Sequence, residues 1–460
     1  MQLTSKKSSN NLSELLTVTT SLGSLNLIKL AIPLFFEYIF NFLLSTVSAI
    51  VLSGHSQEAF NAALSSGKVI TLFIVFLSGI STGGSILVSN LIGAERLDKV
   101  KKACLSLIIL LTGIGAVFSI VLYAASPSIA AWLNLTGTAY DLAVIYMRIR
   151  ALELTFKGAY SILIALMRCY GYTKISVTVG LITNVLNLLC SVYAVHYATV
   201  SFLSGVSGVA LGSAFSQIVG CVIAILMFRA YKIKIAFPKK FKEFFEFVRR
   251  ALYLGIPTCI ANGSYNIAQI ITTSFASGLH EDVLTAKGVV DSVVCYSYVI
   301  GMSVAMANSI LVGRLCGAGK LDHARRLNKT LVKFTVPANI LVAVLILLCR
   351  VPLLSLFTDK QSIITMTFGI LLVDIIAEAA RGVSHIHEAS LRAANDVTLT
   401  MIVTIVSCWV FSVGLGYVLA STCNLGLMGF WIALVVDEIV RAVYTYFRWR
   451  SNRWVTKIKV

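Results

Sequence analysis

The chain is 460 residues long; hydrophobic residues make up 57% of it, charged residues only 13%, and the mean hydropathy is +0.87. Soluble domains carry roughly a quarter charged residues, so an ordinary soluble enzyme or binding module is excluded. The net charge of +18 would suit a nucleic-acid partner if the cations formed one face, but they fall in loops between apolar runs, and no nucleic-acid role is expected.

Residues 1–24, rich in Ser, Thr and Asn, read as a mobile cytoplasmic tail. The first apolar run has no following small-residue cleavage site and opens a repeated unit, which argues against a cleaved signal peptide. A membrane helix needs about 20 mostly apolar residues, and six such spans lie in the first half, at about 28–51, 68–92, 103–126, 141–166, 175–196 and 201–228. Residues 229–250 are the one linker; Phe241, Phe244, Phe245 and Phe247 interleave its cations, as in an amphipathic helix on the inner leaflet or a lipid-headgroup site. Six more spans follow, at about 251–276, 287–312, 331–350, 361–389, 397–420 and 425–447. Residues 448–460 form a second tail. Runs this long and uniformly apolar exclude the alternating strands of a barrel. The predicted fold is an all-α integral membrane protein with twelve transmembrane helices in two pseudo-symmetric six-helix lobes, 25–228 and 251–447.

Cations mark alternate loops. Arg96, Lys99, Lys101 and Lys102 follow span two, eight Lys and Arg crowd 229–250, Lys320, Arg325, Arg326 and Lys329 follow span eight, and Arg448, Arg450, Arg453, Lys457 and Lys459 close the chain. The loops near 127–140, 197–200 and 421–424 have none. By the positive-inside rule both termini are cytoplasmic, in a bacterial inner membrane. Seven of the ten cysteines fall inside apolar spans and no Cys-x-x-Cys occurs, so they act as small hydrophobes. His385 and His387, two apart on a helix, point to different faces and make no metal site.

The sequence repeats itself at an offset of 224. Ser85-Ile86-Leu87-Val88 returns as Ser309-Ile310-Leu311-Val312, Gly93-Ala94 as Gly317-Ala318, Pro33 as Pro257, Arg168 as Arg392, and Ser53-Gly54 as Ser277-Gly278. Two copies of one membrane unit with a site between them is a common build of secondary transporters.

Charges inside spans need a reason, because each costs about 2.5–3.5 kcal/mol at mid-membrane. Span ten has the densest set: Asp374, Glu378, Arg381, His385, Glu388 and Arg392. At about 100° per residue these six fall within roughly 40° of one line, and Asp374 to Glu388 rises about 21 Å. Such a stripe lines a cavity or a partner helix. It reads as a proton relay or substrate wall, against the alternative of an ion-pair ladder, Asp374–Glu378–Arg381 and His385–Glu388. Span four carries Arg150, Lys157 and Arg168, with Glu153 placed to pair with Lys157, and would form a cationic half of the same wall. Glu37, four residues past Pro33, has no cation in its own helix and is a candidate for coupling. Asp291 sits early in span eight. Asp437 and Arg441, i,i+4 in span twelve beside Glu438, read as a structural pair. Phe35, Phe36, Tyr38, Phe40, Tyr265, Tyr296 and Tyr298 are candidates for an amphipathic pocket, about half of them packing elsewhere.

Leu30-Ala31-Ile32-Pro33 and Leu254-Gly255-Ile256-Pro257 open the two halves; Gly93-Ala94 and Gly317-Ala318-Gly319 end the second helix of each. Met167-Arg168 with Gly171 and Thr173, and Leu391-Arg392 with Asp396, resemble the turn ending a fourth helix, and Gly205/Gly208 and Gly426/Gly429 open the sixth. Together these resemble the multidrug and toxic compound extrusion (MATE) family over roughly residues 25–447. The resemblance implies alternating access and export of small molecules driven by a sodium or proton gradient, with no cofactor besides that coupling ion.

The chain departs from the family where its coupling acids usually stand: Ser48, Ser191, about Tyr265 and Arg381 occupy those positions. Glu37, Asp374, Glu378, His385 and Glu388 are the available substitutes for coupling. Arg381, Arg150, Lys157, Glu153 and Tyr265 are the candidate substrate contacts, and guanidinium suits anionic or zwitterionic cargo. The partners expected are a small-molecule substrate and membrane lipids, with the chain acting as a monomer. The alternative is a lipid-linked oligosaccharide or lipid flippase of related two-lobe build. A major-facilitator loop signature is missing, and no nucleophile–base or metal constellation of an enzyme stands at usable spacing.

Overall fold

The computed structural model describes residues 12–53, 57–133, 135–198, 205–238, 240–277, 281–355, 357 and 360–458. Gly54 and Gly278 of the repeat, Lys239, Lys459, residues 1–11 of the tail and 199–200 of the charge-free loop lie outside these.

Over its described residues every predicted span is helical, residues 201–204 of span six lying outside them. The first half holds α1 (Leu27–Ser53), α2 (Gln57–Gly93), α3 (Leu97–Trp132), α4 (Gly137–Cys169), α5 (Thr173–His196) and α6 (Gly205–Ala230). The second holds α7 (Phe241–Ser277), α8 in two pieces (Glu281–Val294 and Val299–Gly317), α9 (Leu321–Leu348), α10 (Gln361–Ala393), α11 (Val397–Thr422) and α12 (Gly426–Arg450). Nine of these segments, among the described residues, are long and apolar enough to cross a membrane. The protein is an all-α multi-pass membrane protein of two six-helix lobes.

Three features differ from the expectation. Residues 12–26 are not a loose tail: β1 (Thr17–Thr20) and β2 (Gly23–Asn26) form an antiparallel hairpin. Its Leu16, Val18 and Leu25 are buried in one apolar cluster with Leu311, Leu315, Leu327, Trp449 and Trp454 of the second half. Secondly, residues 241–250 are the first turns of α7 rather than a separate surface helix. Thirdly, α8 breaks at Cys295–Tyr298, and α11 widens into π turns over Cys408–Leu415 and Val418–Thr422. Such irregular backbone inside a membrane is tolerated where protein or a cavity covers it.

Within the first lobe α4 packs on α2, α3 and α6; within the second α10 packs on α8, α9 and α12. The lobes meet along α2 against α7 and α8, and α1 against α8. Their closest approach is at the end carrying the basic loops, and it obeys the sequence repeat. A Cβ added to Gly93 would stand 2.0 Å from the carbonyl oxygen of Arg314, and one added to Gly317 would stand 2.0 Å from that of Asn90. Only glycine permits backbones this near.

The side chains cross over in the same reciprocal way. Arg314, fully buried, donates from Nη2 to Cys169 O (2.6 Å), the last carbonyl of α4, and from Nη1 to Thr20 Oγ1 of the hairpin (3.0 Å). Asn90 meets the Asn395 side chain at 3.0 Å. Turned so that its nitrogen faces the carbonyls, it reaches Gly313 O (2.7 Å) and Ala393 O (3.3 Å), the latter the last carbonyl of α10. Each lobe thus caps a helix end of the other.

Candidate functional site

A cleft of about 810 Å³ opens between the lobes beyond this closed end. The first lobe contributes Tyr38, Ser78 and Thr82; the rest of the wall comes from α7, α8, α10, α11 and α12. Period and burial explain the α10 contribution. Arg381, His385, Glu388 and Arg392 recur at helical spacing and line the cleft, while Asp374 and Glu378 of the same stripe stand behind them, against α9 and α12.

Arg381 is the centre of an ion cluster. Its Nη1 lies 2.5 Å from Glu378 Oε1 and 3.5 Å from Asp374 Oδ1, its Nε 3.3 Å from Glu438 Oε1, and the guanidinium covers the Tyr298 ring at 5.2 Å. Glu438 also accepts from Arg441 Nη2 at 2.6 Å, and Arg441 reaches Asp437 at 3.1 Å. The carboxylates take further donors: Trp431 Nε1 to Asp374 (3.1 Å), Asn339 to Glu378 (3.2 Å), and Ser407 and Ser412 to Asp437 (2.5 and 3.0 Å). All six charged groups are buried, Arg441 the most exposed at 7%. Paired and hydrogen-bonded in this way, buried charge is tolerated.

The ladder forms in part. Arg381 joins Asp374 and Glu378 as the spacing allows, but Glu388 pairs with Arg392 (3.3 Å) rather than with His385. His385 sits edge-on to Tyr298 at 6.4 Å between ring centroids. Asp437 and Arg441 do pair, yet Glu438 ties them to Arg381, so spans ten and twelve share one cluster.

The cationic wall expected from span four does not join this cleft. Arg150 pairs with Glu153 (2.5 Å), which therefore is not the partner of Lys157. Lys157 turns to Gln217 of α6 (3.1 Å) and over the Tyr160 ring (5.5 Å). Lys157 thus turns to α6 within the first lobe, and Arg150 and Glu153 satisfy each other along α4; none of the three lines the interlobe cleft. Glu37 is not uncompensated either. Arg168, on α4, donates from Nη2 to both its oxygens (2.7 and 2.8 Å) and from Nε to Ser176 (3.3 Å). A partner on another helix is invisible to a reading of one helix at a time.

Tyr265 lines the cleft as expected, with Tyr38 and Tyr298. Phe36 and Phe40 instead point away from the protein, 49% and 42% exposed. Lys287 and Trp431 are among the lining residues for which the sequence reading holds no expectation. Lys287 pairs with Asp291 at 2.6 Å, an i,i+4 signal present in span eight and passed over. Trp431 carries no charge and left no signal.

The fold has solved counterparts. A structure described as the outward-facing conformation of a multidrug resistance MATE family transporter of the MOP superfamily superposes with TM-score 0.87 at 18% identity, over 98% of this chain and 99% of that one. A MOP superfamily transporter from Pyrococcus furiosus, described by the reverse polarity of its binding pocket, gives 0.85 at 20% identity, over 99% and 100%. In sequence the chain is similar to the uncharacterized transporter YisQ of Bacillus subtilis, 27% identical over 94% of this chain and 95% of that one. The MatE family model matches residues 33–193 and 257–418, two stretches that open on Pro33 and Pro257, 224 residues apart like the repeat itself. The chain belongs to the MatE family of multi-pass membrane transporters.

Proposed function

We propose that the chain is a secondary active exporter that carries small zwitterionic molecules by alternating access, coupled to a cation gradient across a bacterial inner membrane. One observation carries the cargo class: Lys287, Arg381, Arg392 and Arg441 share the cleft wall with Asp291, Glu388 and Glu438. A wall with both signs, beside Tyr38, Tyr265 and Trp431, offers bidentate donors to a carboxylate and carboxylates to an ammonium. The guanidiniums are already engaged by acids, which weighs against a purely anionic cargo. A cleft with four cations is in keeping with the reversed polarity ascribed to the Pyrococcus furiosus neighbour. With basic loops placed inside by their charge, both termini are cytoplasmic and the cleft, closed at the basic end, faces outward.

The test is uptake into inverted proteoliposomes of matched zwitterionic, cationic and anionic compounds under separately imposed proton and sodium gradients. The expected result is gradient-driven accumulation of the zwitterion above either singly charged analogue. Accumulation of the anion alone, or of a lipid headgroup compound alone, would overturn the cargo assignment; no flux under either gradient would overturn the transport mechanism.

A further inference from the structure

The outward stripe of α7 changes character along its length. Lys242, Arg249, Tyr253, Ile256, Ile260 and Ile267 follow one another at steps of 7, 4, 3, 4 and 7. At about 100° per residue they lie within roughly 40° of one line. All six are exposed, whereas Ala251, Gly255 and Cys259 on the other side are buried against Gly79 and Gly83 of α2. From Arg249 to Ile270, which is also exposed, the helix rises about 31 Å, one hydrocarbon thickness. Arg249 therefore stands at the edge of the membrane core on the side of the basic loops, and Lys242 about 10 Å farther out. Phe241 and Phe245 flank these cations, 77% and 52% exposed, with ring centroids 4.9 Å apart. Glu243 of that turn is engaged by Lys102 of α3 at 2.8 Å. Neither Lys242 nor Arg249 has an ion-pair partner among the described residues, exposed Glu246 included.

Open cations at the border of the hydrocarbon attract acidic headgroups, and aromatic rings settle at the same depth. We infer that this end of α7 binds one anionic phospholipid from the leaflet on the basic side. Its phosphate-bearing headgroup is held by Lys242 and Arg249, and its chains lie along Tyr253, Ile256 and Ile260. Arg249 offers a forked pair of donors to phosphate oxygens, and Lys242 a point charge. Two features favour a lipid as the occupant. The cations continue an apolar stripe on which acyl chains can rest, which a soluble phosphate would leave uncovered. A two-fold contact with a second copy through the same stripe would bring two sets of like charges together.

The experiment is native mass spectrometry of the full chain released from vesicles of equal parts phosphatidylglycerol and phosphatidylcholine. One cation near the surface favours an acidic lipid about fivefold, so two together favour it about 30-fold. The wild type should retain phosphatidylglycerol over phosphatidylcholine by about that ratio. Lys242→Gln and Arg249→Gln should each lower the ratio about fivefold, and the double variant should abolish the preference. Phe245→Ser should reduce retention of both lipids and leave their ratio unchanged. The charge-keeping pair Lys242→Arg with Arg249→Lys should preserve the ratio, which separates loss of charge from loss of fold. Arg453→Gln with Lys457→Gln removes equal charge from the exposed C-terminal segment and should also preserve it. A wild type without preference, an unchanged ratio in the Lys242/Arg249 double variant, or an equal loss in the C-terminal control overturns the site. A dimer in place of lipid adducts overturns it as well, in favour of a second copy. No flux is measured, so failure here leaves the transport reading standing, and failure of transport leaves this test intact.

Discussion

Replacing Gly93 by valine should disable the closed end of the transporter. The Cβ alone would stand 2.0 Å from Arg314 O, where ordinary carbon–oxygen contact is above about 3 Å. The lobes must separate there by on the order of 1 Å, and overpacking a fitted contact costs about 1–3 kcal/mol. Applied only to the closed state, that cost shifts the closed-to-open ratio by about 5- to 150-fold. Paired spin labels or cysteine cross-links on the α2–α3 and α8–α9 loops would read the shift as longer distances or slower cross-linking. Gly317→Val, the equivalent position one repeat away, should act equally and in the same direction. Substitution of Gly113, which has open space around it, provides the control and should change nothing. Unaltered distances in both seam variants would refute the claim that these glycines set the approach of the lobes.

Other outcomes follow from the ion pairs. Arg381→Met strands Asp374, Glu378 and Glu438 without their shared cation, and should cost about 3–5 kcal/mol of stability, seen as an earlier denaturation midpoint in detergent, together with loss of zwitterion transport. Glu37→Gln breaks a two-oxygen contact with Arg168 inside the first lobe, and should lower stability by about 1.5–3 kcal/mol while leaving gradient-driven accumulation in place; uncoupling in that variant would return Glu37 to the coupling path. Lys157→Met, remote from the cleft, should leave cargo preference unchanged in the proteoliposome panel, whereas Lys287→Met should weaken binding of compounds bearing a carboxylate.

The helix count, the two-lobe build and the repeat could be read from the sequence because each rests on local composition or on direct self-similarity. The α10 stripe was legible for the same reason: helical period alone places Arg381, His385 and Glu388 on one side. What the sequence hid was contact between helices. Nothing local says that Glu438 on α12 bridges to Arg381, that Glu37 on α1 finds Arg168 on α4, or that Lys157 on α4 turns to Gln217 of α6. The hairpin was hidden differently. Its Ser- and Thr-rich strands have the composition of a loose tail, and only the three apolar residues Leu16, Val18 and Leu25 anchor it, each worth about 1.5–3 kcal/mol once buried.

The repeat does not duplicate that hairpin. Its equivalent stretch in the second half, 236–250, holds a short loop and the opening turns of α7. The hairpin is joined covalently to α1, lays Leu25 against Gly171 of the first lobe, and packs its strands on α8, α9 and the C-terminal tryptophans of the second. His323 of α9 meets Leu15 O at 2.8 Å, and Arg314 reaches Thr20 only because the hairpin is there. The seam beneath it is a matched pair of contacts; this third tie is single, and it acts on one end of the membrane only. Two halves of equal build are thereby held unequally, by fifteen residues that stand outside the cleft and tie the lobes at the end of the basic loops.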